Sequence, residues 1–456
     1  EGAGVLIYAP TYRDFTTEKQ SAQIDLQRTL RCYEEVTGKP WVCLLRAHYL
    51  SPGLTGGASA NIIFTVSGFF NGLANGAGIL ISQLYGAKDG AAVRKAFRTI
   101  LPASVVLGIA LSALGIFVSP RMLAMIAVPD EVFAKADSYL RVYFGGLLFI
   151  LLYGICAGIL RSLGDSKRPL YVLVLTVILN VALDFLFILR DGRGLVGAAY
   201  ATVIAEGVSS AVVFAILLRQ LRIMLPVPAR SSGIGGKAES PAAVLRSVLR
   251  LGLPSAFSNS LLNFSNTFMQ RYVNVFGADC MAGWAVYTRF DQLAIMPMVS
   301  ISMAAMTFTA QNYGAGELAR VRRGMRTSAC LGFAVVAAVS ALLVSFAPAL
   351  ISLFNSDAEV IRYGMQFMRV SALFYVFCFG TMVFCQIPQG LGFTAVPTFI
   401  TFVGFVLQRQ AYLFLVTRFS SSSLLVALAY PFSWPPTMLF ELLYLCRCLR
   451  KLEGKK

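Results

Sequence analysis

Residues 83–99 read QLYGAKDGAAVRKAFRT, and residues 311–327 read QNYGAGELARVRRGMRT. Without a gap, nine of the seventeen positions are identical at a constant offset of 228 residues. The same offset carries Leu163, Gly164 and Pro169 onto Leu391, Gly392 and Pro397. Two distant stretches sharing one offset mark an internal duplication. Each copy lies between apolar blocks, so the architecture follows from how many of those blocks one repeat holds. An even number keeps both copies in the same orientation, the parallel-repeat arrangement found in some transporters.

The blocks are long enough to cross a bilayer. The chain has 456 residues, of which 57% are apolar and only 13% charged, where a soluble domain carries about a quarter charged residues. Eleven spans are expected, at about 57–82, 99–120, 139–160, 169–189, 195–218, 251–275, 283–308, 328–350, 370–388, 396–417 and 422–445. Each approaches the length that crosses a hydrocarbon core of about 30 Å as a helix. Uninterrupted apolar runs argue for helices and against a barrel, whose strands alternate with period 2. The expected fold is therefore an all-α polytopic membrane protein of two pseudo-symmetric bundles, with five spans in the first and six in the second.

The net charge of +17 is distributed by side. Loops 84–98, 161–168, 219–250 and 311–326 and the tail 446–456 carry all of it, while the alternate loops sum to zero. The positive-inside rule makes the basic side cytoplasmic, the C-terminus included. That alternation also excludes a nucleic-acid site as the reason for the charge. The stretch PVPARSSGIGGKAESP (226–241) is a flexible linker, and its GIGGK lacks the spacing of a phosphate-binding loop. The domain reading is a soluble-like α/β segment at 1–53, a first membrane lobe at 54–225, the linker at 226–241, a second lobe at 242–445 and a basic tail at 446–456. The nine cysteines show no metal spacing, and thiols such as Cys156, Cys378 and Cys385 are expected free and packed as small apolar groups. With one His in the chain, His-based catalysis has almost nothing to work with, and no enzyme activity is expected.

Polar residues inside the spans are the candidate sites. In RPLYVLVLTVILNVALDFLFI (168–188), Asn180 and Asp184 stand one turn apart. Asp184 is 15 residues beyond Pro169, about 22 Å along a helix and so in the outer part of the membrane. A carboxylate there takes a proton, coordinates a cation, or snorkels outward toward Arg190. Thr202 and Glu206, one turn apart on the next span, can supply further oxygens. Asn259, Asn263, Asn266 and Gln270 form a neutral stripe that suits a drug-lining surface or helix packing equally. Arg289 and Asp291 can simply pair, and Arg409 has a structural reading.

The segment ILRSLGDSKRPLYVLVLTVILNVALDFLFI (159–188), the Q-x-x-G-A boxes at 83–87 and 311–315, and QGLGFTAVP (389–397) together resemble the multidrug and toxin extrusion (MATE) family. The resemblance runs from about residue 55 to the C-terminus. It implies two six-helix bundles around a central cavity, and efflux of amphipathic, cationic compounds driven by inward flow of H+ or Na+, with no other cofactor. It further implies that Asn180, Asp184 and Thr202 belong to the cation network of the first lobe, whereas Glu206 enters by position alone. A monomer in the inner (cytoplasmic) membrane is expected, with small-molecule substrates, the lipid bilayer and no nucleic acid as partners. The alternative is a flippase of lipid-linked saccharides, which shares the bundle architecture but lines its lumen with several Arg or Lys; here the embedded cations are chiefly Arg141, Arg271, Arg289 and Arg409.

Residues 1–50 depart from that pattern. GVLIYAPTYRD (4–14) and WVCLLRAHY (41–49) read as strands flanking a helix, and they resemble a fragment of a CDP-glycerol glycerophosphotransferase, in which Arg13, Asp14, Arg46 and His48 match motif positions. The stretch 24–49, where the offset places the first helix of the first repeat, is too charged to cross a bilayer, so that helix is expected to be missing. A chain that opens on Glu1 is expected to be a fragment, and a transferase built on this segment is expected to be inactive.

Overall fold

The computed structural model describes residues 51–125, 130–191, 194–224, 240–419 and 422–453, so the segment 1–50, the linker 226–239 and the last three residues of the tail lie outside the described residues. Described secondary structure is helical throughout. The first lobe comprises α1 (Ser51–Gly86), α2 (Gly90–Met125), α3 (Asp130–Gly145), α4 (Leu147–Ser162), α5 (Lys167–Asp184), which runs on as a π-helical turn at Phe185–Arg190, and α6 (Gly194–Met224). In the second come α7 (Pro241–Asn274), α8 (Ala278–Gly314), α9 (Leu318–Ser352), α10 (Ala358–Gly390) and α11 (Ala395–Phe402). It closes with a π-helical turn at Val403–Gln408, α12 (Arg409–Phe419), α13 (Ser423–Ala427) and α14 (Ala429–Glu453).

The duplication is legible in the backbone. Gly164 and Gly392 end α4 and α10 at φ 88° and 93°, each in a left-handed turn after the helix. In both copies the following amide reaches back to the helix, Asp165 N to Leu160 O at 3.0 Å and Phe393 N to Pro388 O at 2.9 Å. This is the closing hydrogen bond of a helix-terminating left-handed turn, which favours glycine. Lys88 (φ 58°) and Gly316 (φ 77°) repeat the correspondence before α2 and α9. Local capping then sets the helix starts: Asp89 Oδ1 accepts from Ala92 N at 2.9 Å, and Ser240 caps α7 with Pro241 in its first turn.

Seven described helices are long and apolar enough to cross a membrane, and the α3–α4 pair, bent by 42°, makes an eighth. The span expected at 139–160 is thus two helices meeting at Gly146, where a Cβ would fall 2.4 Å from Val203 Cγ2. Each lobe has its own apolar core. One gathers Phe144, Leu147 and Leu160 with Val213 and Leu217, and the other gathers Trp284, Phe367, Tyr375 and Phe379. Outward faces are apolar too: Tyr171, Val174, Val177 and Ile178 of α5 are exposed, as a lipid-facing helix requires.

Two close approaches join the lobes. Along the first, α1 lies on α7, where a Cβ at Gly72 would fall 2.2 Å from the Ala256 backbone and one at Gly76 2.5 Å from Gly252. A G-x-x-x-G pair lets two helix backbones meet, which is where packing energy comes from in lipid. The second is the crossing of the duplicated boxes. Gln83 Nε2 donates to Gly390 O at 2.9 Å, and Gln311 Nε2 donates to Ser162 O at 2.8 Å. Both donors and both acceptors are related by the 228-residue offset. Gly86 and Gly314 let the boxes cross, since a Cβ on either would sit 1.8 or 2.0 Å from the carbonyl oxygen of Gln311 or Gln83. Gly314→Val is expected to hold these ends apart. Spin labels at Lys95 and Arg323 should report a longer distance than in the unsubstituted protein.

Candidate functional site

In the first lobe, α5 and α6 face each other through a polar seam. Thr176 Oγ1 donates to Ser209 Oγ at 2.6 Å, and Asn180 Nδ2 donates to Thr202 Oγ1 at 3.3 Å. Thr202 in turn donates to Ala198 O at 3.0 Å. Asp184 stands one turn beyond the Asn180–Thr202 rung, immediately before the π-helical turn. Glu206 stands one turn from Thr202 in the other direction, between the two rungs. Eight residues of helix therefore separate the two carboxylates, about 12 Å along the axis. Asn180 and Thr202 are brought together, but the two acids occupy different levels.

Both acids point inward. Asp184 Oδ1 and Glu206 Oε2 are buried, and neither has a hydrogen-bond partner. Tyr139 of α3 is within electrostatic reach of Asp184, and Tyr143 and Tyr153 are within reach of Glu206. Among the described residues no ion pair joins Asp184 to Arg190, so the outward snorkelling considered from sequence is replaced by an inward orientation. A buried carboxylate oxygen without a donor is costly in a water-poor interior. A proton or a bound cation would satisfy it.

A cavity of about 950 Å³ lies between the lobes. Asn71 and Asn75 of α1, Ser258 and Asn259 of α7, and Gln386 and Gln389 of α10 supply much of its polar surface. Of the stripe expected on α7, Asn259 lines this cavity, whereas Asn266 is exposed elsewhere. The side chains of Asn263 and Gln270 lie outside the described residues. Asn71 and Asn75 were not singled out from sequence, although two amides one turn apart in an apolar span are the same kind of signal as Asn180 and Asp184. Arg161, at the end of α4, is the charged residue among those lining the cavity.

The second lobe holds a different set of polar groups. Tyr287 and Tyr375 both donate to Asp291 Oδ1, at 3.0 Å and 2.6 Å. The expected Arg289–Asp291 pair is replaced by these tyrosines, because residues two apart on a helix do not share a face. Arg409 is 2% exposed and donates from Nη2 to Ser265 Oγ at 2.7 Å. Its guanidinium lies 4.8 Å from the Tyr430 ring centroid, a cation–π arrangement that fits its structural reading.

The MatE family model matches residues 48–186 and 254–409. Probable multidrug resistance protein YoeA of Bacillus subtilis is 26% identical over 402 residues, covering 84% of this chain and 86% of that protein. A second B. subtilis relative, probable multidrug resistance protein YpnP, is 27% identical over 319 residues, 70% of each chain. Among solved structures, one described as an outward-facing conformation of a multidrug resistance MATE family transporter superposes with a TM-score of 0.80 at 21% identity, covering 94% of both chains.

The tyrosine caps on Asp291 give a stability test. Tyr375→Phe removes the shorter of its two hydrogen bonds and is expected to cost about 1–2 kcal/mol. Unfolding in a dodecyl sulfate titration should then begin at a lower detergent fraction.

Proposed function

Because the chain belongs to the MatE family, whose members are membrane transporters and not enzymes, we propose that it exports amphipathic, cationic compounds in exchange for inward-flowing H+ or Na+. The observation that carries the coupling is the buried, unpartnered Asp184 oxygen next to the Asn180–Thr202 rung in the first lobe. The basic loops orient the chain with its C-terminus in the cytoplasm. The crossed boxes of α1 and α8 then lie at the cytoplasmic end, and they must separate for cargo to enter from that side.

Occupancy of Asp184 changes the charge at a carboxylate whose Oδ1 is buried within the first lobe. A lobe packed around a neutral, protonated or cation-bound Asp184 differs in electrostatic energy from one packed around a bare carboxylate. An ion entering from outside can therefore bias the equilibrium between the two lobe arrangements, provided that it binds one of them more tightly. Cargo meets amides, hydroxyls and apolar side chains in the cavity, a lining suited to amphipathic molecules of varied shape. The flippase alternative is less well supported, since a pyrophosphate cargo calls for several lumenal cations and Arg161 is the charged residue lining this cavity.

Asp184→Asn tests the coupling in proteoliposomes loaded with a fluorescent cation. Efflux driven by an imposed H+ or Na+ gradient is expected to fall at least about tenfold, while the cation still binds. Gradient-driven efflux at the unsubstituted rate would return Asp184 to a structural role.

A further inference from the structure

Glu441, on the last helix of the second lobe, has no part in the scheme above. It is fully buried at 0% exposure. Its Oε1 accepts a hydrogen bond from Thr401 Oγ1 of α11 at 3.1 Å, while Oε2 has no partner. From α10 the Cys385 thiol faces it, and Tyr444 and Cys448 of its own helix are within electrostatic reach. No Lys or Arg forms an ion pair with it among the described residues. A carboxyl so enclosed is costly as an uncompensated charge, and as a neutral acid it leaves one oxygen unused.

What surrounds Glu441 leads to the cavity. Thr401 Oγ1 is also 3.5 Å from Cys385 Sγ, so its single proton serves the carboxyl or the thiol but not both. Gln389 Nε2 donates to that sulfur at 3.2 Å, and Ser255 of α7 donates to Gln389 Oε1 at 3.4 Å. Thr401, Cys385, Gln389 and Ser255 all line the cavity. Thr398, 6% exposed, lines the same wall with its hydroxyl unpartnered. The 228-residue offset places Val213, Leu173 and Ala157 at the first-lobe positions matching Glu441, Thr401 and Cys385, and Arg161 at that of Gln389. One wall therefore presents a cation, and the opposite wall hides a carboxyl one side chain behind its surface.

We propose that Glu441 is a proton-exchange residue of the second lobe, connected to the cavity through Thr401, and that it releases its proton when a cationic compound occupies the cavity. This goes further than the antiport reading: it needs the cavity to bind cations but does not depend on Asp184. The carboxyl proton passes to the Thr401 oxygen as the rotated hydroxyl gives its own proton to water in the cavity. The resulting carboxylate offsets Arg161 and holds the cargo cation by charge across the wall, making Glu441 a specificity-determining residue for cations over neutral amphiphiles.

The test uses the purified full chain in nanodiscs with tetraphenylphosphonium as the probe. In weak buffer with a pH-sensitive dye, binding is expected to release about one proton per cation bound, and affinity should strengthen by up to about tenfold for each unit rise in pH over the range where the group titrates. With Asp184→Asn and Glu206→Gln in place, that release should persist. Adding Glu441→Gln should abolish it and leave a pH-independent affinity. Thr401→Val should slow the release while leaving the folded protein monodisperse. No release from the unsubstituted chain, equal release from the Glu441→Gln variant, or complete loss of binding in a monodisperse Glu441→Gln protein would each overturn the proposal. A chain that binds and releases the proton but shows no gradient-driven efflux would instead overturn the antiport reading and leave this one standing.

Discussion

The reciprocal contacts that Gln83 and Gln311 make across the interface govern how the two lobes meet. Each amide donates to the last carbonyl of the opposite lobe's bent or long helix, at Gly390 and Ser162, and two glycines allow the backbones to cross. In an apolar bundle there is little hydrophobic force to hold helices together, because lipid is as apolar as their side chains. Close backbone approach and a few hydrogen bonds must do it. Such a contact can be broken and remade at modest cost, and a transporter that changes shape needs that at one end of its cavity.

Duplication supplied the backbone twice but not the chemistry. Left-handed turns recur at equal offsets in both lobes, yet the buried acids do not. Asp184 and Glu206 sit on the α5–α6 seam of the first lobe, while Asp291 and Glu441 sit on α8 and α14 of the second. Tyr412 occupies the position matching Asp184, and Ile63 the position matching Asp291. A helix scaffold tolerates such divergence because its hydrogen bonds are made within each helix, whatever the side chains. Each lobe can therefore carry its own titratable groups around a shared cavity.

Much of the architecture could be read from sequence, for identifiable reasons. Span length follows from bilayer thickness, and the repeat offset appeared directly in two Q-x-x-G-A boxes and two Leu-Gly pairs. The break at Gly146 was not legible, since glycine is common in membrane helices and only its contact with Val203 distinguishes this one. That Asn180 and Thr202 belong to one polar network was implied by the family resemblance, and their direct contact came from the structure. The vertical separation of Asp184 from Glu206 could not be read from sequence, because it depends on the register between two antiparallel helices. Glu441 lay in a span whose flanking residues gave no motif, so nothing in its neighbourhood pointed to the cavity.

By itself the sequence determined that this chain spans a membrane, that it does so as two related bundles, and which loops carry the positive charge. Those properties depend on composition and on spacing along one helix, and both are local. Tertiary structure alone decided which polar groups face the cavity, which buried carboxyl oxygens have no donor, and that Thr401 connects Glu441 to the cavity wall. These are contacts between side chains distant in sequence, set by helix rotation and register, and a shift of one residue in either would redirect them to lipid.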